Sequence, residues 1–280
     1  MSTHNFIRSG FTDEIGEDLE EQLDTVERIG LEYLDVRGFE ETNVLDFSDE
    51  QVNRLKTELD ERGIGVTSIG SPIGKIHIDD PFEPHLERFD RAIEMANTFD
   101  TNFIRIFSYY MPEGEDPAEY RDEVLRRTEA IARRAEEENV IVLHENEKEI
   151  YGDTPERCRD ILTSIDSPNL RAAIDPANFL EMGIKPYPDA LLQVIEFVDH
   201  IHVKDAELGQ FGEMVPAGEG DGNFVEMFDA FKKRGYVGPV SLEPHLDIAG
   251  RSTGYSGPDG YERAAKALTA CLDEVDATYE

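Results

Sequence analysis

Short apolar runs alternate with amphipathic helical segments along the whole of this 280-residue chain. This alternation is typical of a parallel sheet whose strands are joined and covered by helices, and it limits the fold more than any other feature. The runs are five or six residues long. They are predicted strands at residues 5–9, 33–37, 64–69, 102–107, 140–145, 170–175, 200–204 and 239–243.

Helix boundaries between the runs have recognisable signals. Apolar residues at helical spacing precede Gly30, and glycine favours the left-handed conformation that ends a helix. Ser48 and Gln51 have the spacing of a capping box, and Gly63 is placed to end the helix that they begin. These signals predict helices that lie against a sheet.

Eight consecutive strand–helix units favour a single (β/α)8 TIM barrel formed by residues 1–280. An open, doubly wound sheet is the rival architecture. It is disfavoured because no glycine-rich nucleotide loop follows the first predicted strand. In a barrel of parallel strands, functional side chains are expected at the carboxyl ends of the strands.

The chain has 62 acidic and 27 basic residues, a formal net charge of −35. Such a charge repels phosphate backbones and anionic lipid, so nucleic acid and membranes are not expected partners. It also predicts self-repulsion that salt screens, and we hypothesise a salt-rich cytoplasm. No leader pattern or 18-residue apolar run occurs, which predicts a cytoplasmic protein, and Cys158 and Cys271 are predicted to be buried thiols.

Four predicted strands in the second half of the chain end on a side chain that can bind metal. They are Glu145, Asp175, His202 and Glu243, separated by 30, 27 and 41 residues. These separations are close to one strand plus its connecting helix, so the four side chains are expected at one rim. Three carboxylates can be buried together only if a cation or protons neutralise them.

We therefore predict that Glu145, Asp175, His202 and Glu243 bind one divalent metal. Two Glu, one Asp and one His are an oxygen-rich donor set that suits Mn²⁺, Mg²⁺ or Co²⁺, and Zn²⁺ is also compatible. His202 lies nearer to the strand end than His200, so His202 is the predicted ligand.

Five motifs resemble the xylose isomerase-like TIM barrels, which include sugar phosphate isomerases and epimerases. They are His-Glu-Asn-Glu at 144–147, Asp-Pro-Ala-Asn at 175–178, His-Val-Lys-Asp at 202–205, Pro-Ala-Gly-Glu-Gly at 216–220 and Ser-Leu-Glu-Pro-His at 241–245. The resemblance covers the full chain. It implies the same four metal ligands, and it implies that Glu145 and Glu243 are also the acid/base pair on opposite sides of the substrate.

The expected reaction is isomerisation or epimerisation of a small carbohydrate through an enediolate, in which a metal polarises the carbonyl. Two alternatives stay open. Asn178 stands where epimerases of this family have His, and Lys204 follows the metal histidine as in inosose dehydratases, so dehydration of a keto-polyol is the second reading. A barrel that binds sugar without turnover is the third.

Four residues near the predicted ligands are candidates for substrate binding: His245, Lys204, Arg37 and Asn178. Lys75 and Arg105 are weaker candidates for the same role. The alternative for Lys204 is an ion pair with Asp205 or with an acidic helix. A homo-oligomer is compatible with the sequence.

Overall fold

The computed structural model describes residues 5–210, 212–246 and 256–280. Eight parallel strands form one sheet in the order β1-β12-β9-β8-β7-β6-β5-β2. A parallel bridge between Phe11 and Asp35 joins its two edges, so the predicted (β/α)8 TIM barrel is confirmed. The strands are β1 (Phe6–Gly10), β2 (Tyr33–Val36), β3 (Gly38–Phe39), β4 (Thr42–Asn43), β5 (Gly65–Ile69), β6 (Phe103–Ile106), β7 (Ile141–Glu145), β8 (Leu170–Ile174), β9 (Val198–Val203), β10 (Asp205–Ala206), β11 (Met214–Val215) and β12 (Gly238–Leu242).

The helices surround the barrel. They are α1 (Leu19–Ile29), α2 (Asp49–Arg62), α3 (Glu83–Thr98), α4 (Arg121–Glu138), α5 (Pro155–Ile165), α6 (Pro176–Glu181), α7 (Leu191–Val194), α8 (Phe224–Lys233) and α9 (Gly257–Glu274). The predicted capping box of Ser48 and Gln51 is present at the start of α2. Gly30 and Gly63 end α1 and α2 with φ of 71° and 68°, as the sequence predicted.

The helices pack their apolar stripes against the strands. In α1, for example, Leu19, Leu23 and Val26 are at most 1% exposed. Burial of this kind is the main favourable contribution to folding. Among the described residues, none of the helices combines the length and the apolar character needed to cross a lipid bilayer.

Below the rim, the interior of the barrel is polar. The buried Asp35 carboxylate accepts hydrogen bonds from the hydroxyls of Ser9, Ser68 and Ser241, and His200 Nε2 lies 3.0 Å from Asp35 Oδ1. Burial acts to raise the pKa of Asp35, but His200 and the hydroxyls outweigh burial and lower it. His200 is thus part of an internal polar network directly below the site.

Two small antiparallel pairs, β3–β4 and β10–β11, were not predicted. The second pair lies within residues 205–215, and Phe211 in this stretch is outside the described residues. Both pairs follow a barrel strand at its carboxyl end, so they build the walls around the rim.

Candidate metal centre and substrate cavity

The four predicted metal ligands lie at the carboxyl ends of four neighbouring barrel strands. Glu145 is the last residue of β7, and His202 is the next-to-last residue of β9. Asp175 directly follows β8, and Glu243 directly follows β12. Each is at most 4% exposed. One ligand atom from each residue lies within 4.8 Å of the other three.

His202 is at the centre of this cluster. Its Nδ1 atom lies 3.2 Å from Glu243 Oε2, 3.3 Å from Glu145 Oε1 and 3.9 Å from Asp175 Oδ2. The other carboxylate oxygen of Asp175 accepts a hydrogen bond of 3.0 Å from the backbone N–H of Asn178 at the start of α6. Asp175 therefore caps a helix with one oxygen and faces the cluster with the other.

The electrostatics of the cluster are those of ionised carboxylates around a cation. Burial acts to raise the pKa of Glu145 and of Glu243, but the neighbouring positive groups lower both. Burial acts to lower the pKa of His202, but the two glutamates outweigh burial and raise that pKa to about 10. For Asp175, burial is the largest effect and the pKa is raised.

The donor set fits a divalent metal ion. Three buried atoms of the predicted ligands, His202 Nδ1, Glu145 Oε2 and Glu243 Oε2, have no hydrogen bond of standard geometry within the described part of the chain. Buried polar atoms without such bonds are rare in folded proteins, and metal coordination is one way to satisfy them. Three carboxylates and one imidazole suit hard or borderline divalent ions.

Arg37, at the end of β2, is held by three carboxylates. Its guanidinium lies 2.6 Å from Asp13, 2.8 Å from Glu14 and 2.5 Å from Glu243. Burial acts to lower the pKa of Arg37, but these carboxylates raise it. All of its charge is therefore matched by protein groups, and its direct effect is to orient Glu243.

His245 and Lys204, both predicted to bind substrate, also border the cluster. His245 Nε2 lies 2.9 Å from Glu14 Oε1 and 3.6 Å from Glu243 Oε1. Burial acts to lower the pKa of His245, but Glu14 outweighs burial and raises it to about 9. Lys204 Nζ lies 2.6 Å from Asp175 Oδ2 and 3.8 Å from Glu243 Oε2, so its ion-pair partners are in the cluster.

Glu14, Glu243 and His245 form a second group whose ligand atoms lie within 4.8 Å of one another. Arg37 contacts both of the carboxylates in this group and so already supplies a positive charge there. The first cluster therefore fits a metal better than the second.

Asp205 does not pair with Lys204, which was the alternative considered for that lysine. Its carboxylate instead accepts backbone hydrogen bonds from Ala206, Gly218, Gly220 and Gly222 at 2.9–3.1 Å. This one side chain fixes the glycine-rich stretch that leads into α8, and the N–H groups that a phosphate would need are used by Asp205.

Asn178, the fourth candidate for substrate binding, is 4% exposed. Its Nδ2 atom donates to the carbonyl oxygen of Asn146 at 2.9 Å and lies 3.4 Å from Glu145 Oε1. Asn146 in turn bonds the backbone of Asp175 through both its amide atoms at 2.8 Å. The structure thus places Asn178 where it holds β7 and β8 in register beside Glu145.

Sequence reasoning missed several residues that surround the cluster. Asp13 and Glu14 lie in the 3-10 helix Thr12–Glu14 just beyond the carboxyl end of β1, and an acidic pair so close to a strand end is the signal that could have identified them. Asp35 is buried inside the barrel and was hidden within a predicted strand. Arg105, only a weak candidate, is 6% exposed, and its Nη1 lies 3.3 Å from Glu145 Oε2.

Comparison with known proteins agrees with this geometry. The family described as xylose isomerase-like TIM barrel matches residues 23–274. A 3-dehydroshikimate dehydratase of Bacillus anthracis is 25% identical over 214 residues, in a match that covers 71% of this chain and 76% of that protein. A D-tagatose 3-epimerase-like protein of known structure has a TM-score of 0.80 at 20% identity, covering 97% of this chain and 98% of its own. The structure of AsbF from Bacillus anthracis, described as a probable 3-DHS dehydratase, has a TM-score of 0.76 at 22% identity over 94% and 98% of the two chains.

Two other similar structures contain metal ions. A xylose isomerase-like barrel of Mycobacterium smegmatis is in complex with magnesium; its TM-score is 0.71 at 18% identity over 96% of this chain and 98% of that one. Another barrel has a bound zinc atom, with a TM-score of 0.74 at 16% identity over 97% and 98%. Two structures with this fold therefore contain magnesium or zinc.

Proposed function

Because the chain belongs to the xylose isomerase-like TIM barrel family, we propose that it is a metal-dependent isomerase or epimerase of a small carbohydrate. It moves a proton at the carbon next to a carbonyl of a sugar, sugar acid or sugar phosphate. The observation that carries the proposal is the convergence of Glu145 and Glu243 on His202 from β7 and β12, two strands that are separated by β8 and β9 in the barrel.

The roles of the residues follow from their contacts. Glu145, Asp175, His202 and Glu243 hold one divalent ion, and that ion supplies Lewis-acid polarisation of the substrate carbonyl. Magnesium, manganese, cobalt and zinc all suit this donor set. Asp175 and His202 serve mainly as ligands, and His245, Lys204, Arg37 and Asn178 border the substrate.

The positive groups around Glu145 and Glu243 suit a role of these two glutamates in proton transfer. Each carboxylate has one oxygen near His202 and the other oxygen near an arginine. The arginine is Arg105 for Glu145 and Arg37 for Glu243. Their low pKa values keep both carboxylates ionised at neutral pH, so either can accept a proton from the carbon of a bound substrate. The glutamate on the opposite side takes up a proton from solvent and gives it to the carbon, which inverts the centre; a proton given to the neighbouring carbon relocates the carbonyl instead.

Solvent deuterium tests this proposal. Metal-loaded protein should incorporate deuterium at the carbon next to the carbonyl of a ketose without loss of water, and protein treated with a chelator should not. If metal is bound and none of the ketoses tested exchanges a proton, the chain is a sugar-binding barrel without turnover and the proposal fails.

Dehydration of a keto-polyol is the second candidate. Lys204 favours it because this buried ammonium lies near both Asp175 and Glu243, and the relative at 25% identity is a dehydratase. A glutamate removes the proton next to the carbonyl, the carbon–oxygen bond one carbon further breaks, and Lys204 gives the departing hydroxyl a proton, so that water and a conjugated double bond form.

The growth of a conjugated enone absorbance separates the two candidates. If the enzyme is a dehydratase, the absorbance rises in wild-type protein and Lys204→Met slows it by a factor of about 100 or more. Proton exchange without any new absorbance supports the isomerase or epimerase instead.

A further inference from the structure

A cavity of about 870 Å³ opens above the cluster, and the charges on its walls are unevenly distributed. Asp13, Glu17 and Glu41 lie on one side, contributed by the segments that follow β1 and β2. Lys75 and Arg105 lie on the adjoining part of the wall, contributed by the segment after β5 and by β6, because β5 is the neighbour of β2 in the sheet.

Two lysines and two arginines line the cavity together with His245, and the lysines and arginines differ in how fully protein groups match their charge. Arg37 contacts three carboxylates, and Lys204 lies 2.6 Å from Asp175. Lys75 has the longer distance of 3.3 Å to Glu147, and its side chain is 32% exposed to the cavity and solvent. Lys75 thus has hydrogen-bonding capacity for a ligand.

Arg105 is the second cation with capacity for a ligand. Its Nε and Nη2 atoms donate to the backbone carbonyl oxygens of Ser71 and Gly70 at 3.4 and 3.1 Å, and Nη1 lies 3.3 Å from Glu145 Oε2. When Glu145 also binds a metal, its negative charge is shared between the metal and Arg105. A buried guanidinium that is only partly compensated is costly, and an anion of the ligand relieves that cost.

Phe107 brings the two cations together. Lys75 Nζ lies 4.3 Å from the centroid of the Phe107 ring, and Arg105 Cζ lies 4.9 Å from the same centroid. The ring limits where both side chains can move, so that their charges face one part of the cavity. Glu145 lines the same cavity and lies 3.3 Å from Arg105. When a metal takes the negative charge of Glu145, Lys75, Arg105 and Glu147 together leave one positive charge in excess on this wall.

We propose that the substrate carries a carboxylate, that Lys75 and Arg105 bind this group, and that its hydroxyls face Asp13, Glu17 and Glu41. The inference rests on the proposed function and narrows its substrate to a sugar acid or another acidic keto-polyol. One excess positive charge matches one carboxylate, whereas a phosphate monoester carries close to two negative charges and would lie beside Glu147.

Calorimetry with three polyols that are not ketoses tests the inference independently of turnover. Manganese-loaded protein without excess metal is titrated with gluconate, sorbitol and sorbitol 6-phosphate. Gluconate should bind about ten times more tightly than sorbitol, and it should also bind more tightly than sorbitol 6-phosphate. Equal affinities for gluconate and sorbitol, or the tightest binding for the phosphate, overturn the carboxylate site.

Variants test whether the preference for gluconate comes from the proposed carboxylate site at Lys75 and Arg105. Lys75→Gln should remove most of the preference for gluconate over sorbitol while leaving sorbitol binding unchanged, and Lys75→Arg should retain the preference. Lys233→Gln, an exposed lysine on α8 that is paired with Asp229, is the matched control and should behave as wild type. An unchanged preference in Lys75→Gln overturns the assignment.

The two proposals fail in different ways. Selective binding of gluconate by a protein that exchanges no proton in any keto substrate contradicts the proposed function alone. Proton exchange in neutral ketoses by a protein with no preference for gluconate contradicts the carboxylate site alone.

Discussion

The proton on His202 links the charge of the cluster to pH. In the metal-free protein, the pKa of this imidazole is raised to about 10 from its ordinary value of about 6.5. A raised pKa in the folded state adds stability that is fully present below pH 6.5 and is lost as pH rises towards 10. Protonated His202 therefore stabilises the metal-free fold, whereas a histidine that binds metal must be neutral.

We predict that metal binding at pH 8 releases about one proton from His202. The apparent affinity for Mn²⁺ should rise about tenfold for each pH unit until pH 10, because the proton and the metal compete for Nδ1. Calorimetry in two buffers with different ionisation enthalpies measures the released proton. A binding enthalpy that is the same in both buffers would show that His202 does not lose a proton.

We predict that Glu243→Gln binds metal more weakly than wild type and loses turnover by a factor of about 100 or more. An amide can still offer an oxygen to the metal, but it cannot accept a proton from carbon. Metal affinity and kcat are measured on the same preparation. Glu219→Gln, an exposed glutamate paired with Arg263, is the control, and an active Glu243→Gln enzyme would exclude Glu243 as a base.

At the scale of the elements, Asp205 fixes the wall that β10 and β11 form beside the rim. We predict that Asp205→Asn lowers the free energy of unfolding by about 1–3 kcal/mol, because the amide cannot accept all four backbone hydrogen bonds. Hydrogen exchange at Gly218, Gly220 and Gly222 should become faster. Glu207→Gln, exposed in the same loop, is the control, and unchanged protection in Asp205→Asn would contradict this role.

Sequence patterns predicted the elements well because their signals are local. Each of the eight predicted runs overlaps a barrel strand, with ends at most two residues from those of the strand, and Gly30, Ser48 and Gly63 define helix ends where expected. The convergence of Glu145, Asp175, His202 and Glu243 was also predictable, because the carboxyl ends of parallel strands share one rim.

Contacts between distant segments could not be predicted in this way. Arg37 and Glu243 are 206 residues apart, and Asp35 and His200 are 165 residues apart. In neither pair does the sequence around one residue indicate the other residue, because both pairs form only when the barrel closes between β1 and β2. The β3–β4 hairpin has too few residues to show an alternating pattern.

At the scale of the whole molecule, the net charge of −35 opposes folding. We predict that the melting temperature rises by several degrees between about 0.1 and 2 M KCl, because ions screen the repulsion more than they weaken the surface ion pairs. Thermal melting followed by circular dichroism measures this rise. Sucrose at matched osmolality is the control, since it does not screen charge. A melting temperature that falls or stays constant in KCl would contradict the prediction.

The central claim is that one divalent ion binds where β7, β8, β9 and β12 end. A crystal soaked in Mn²⁺ and measured for anomalous scattering tests it most directly. We predict one strong anomalous peak per chain, in contact with Glu145, Asp175, His202 and Glu243. A map with no peak among these side chains, or with its only peak elsewhere, would contradict the claim.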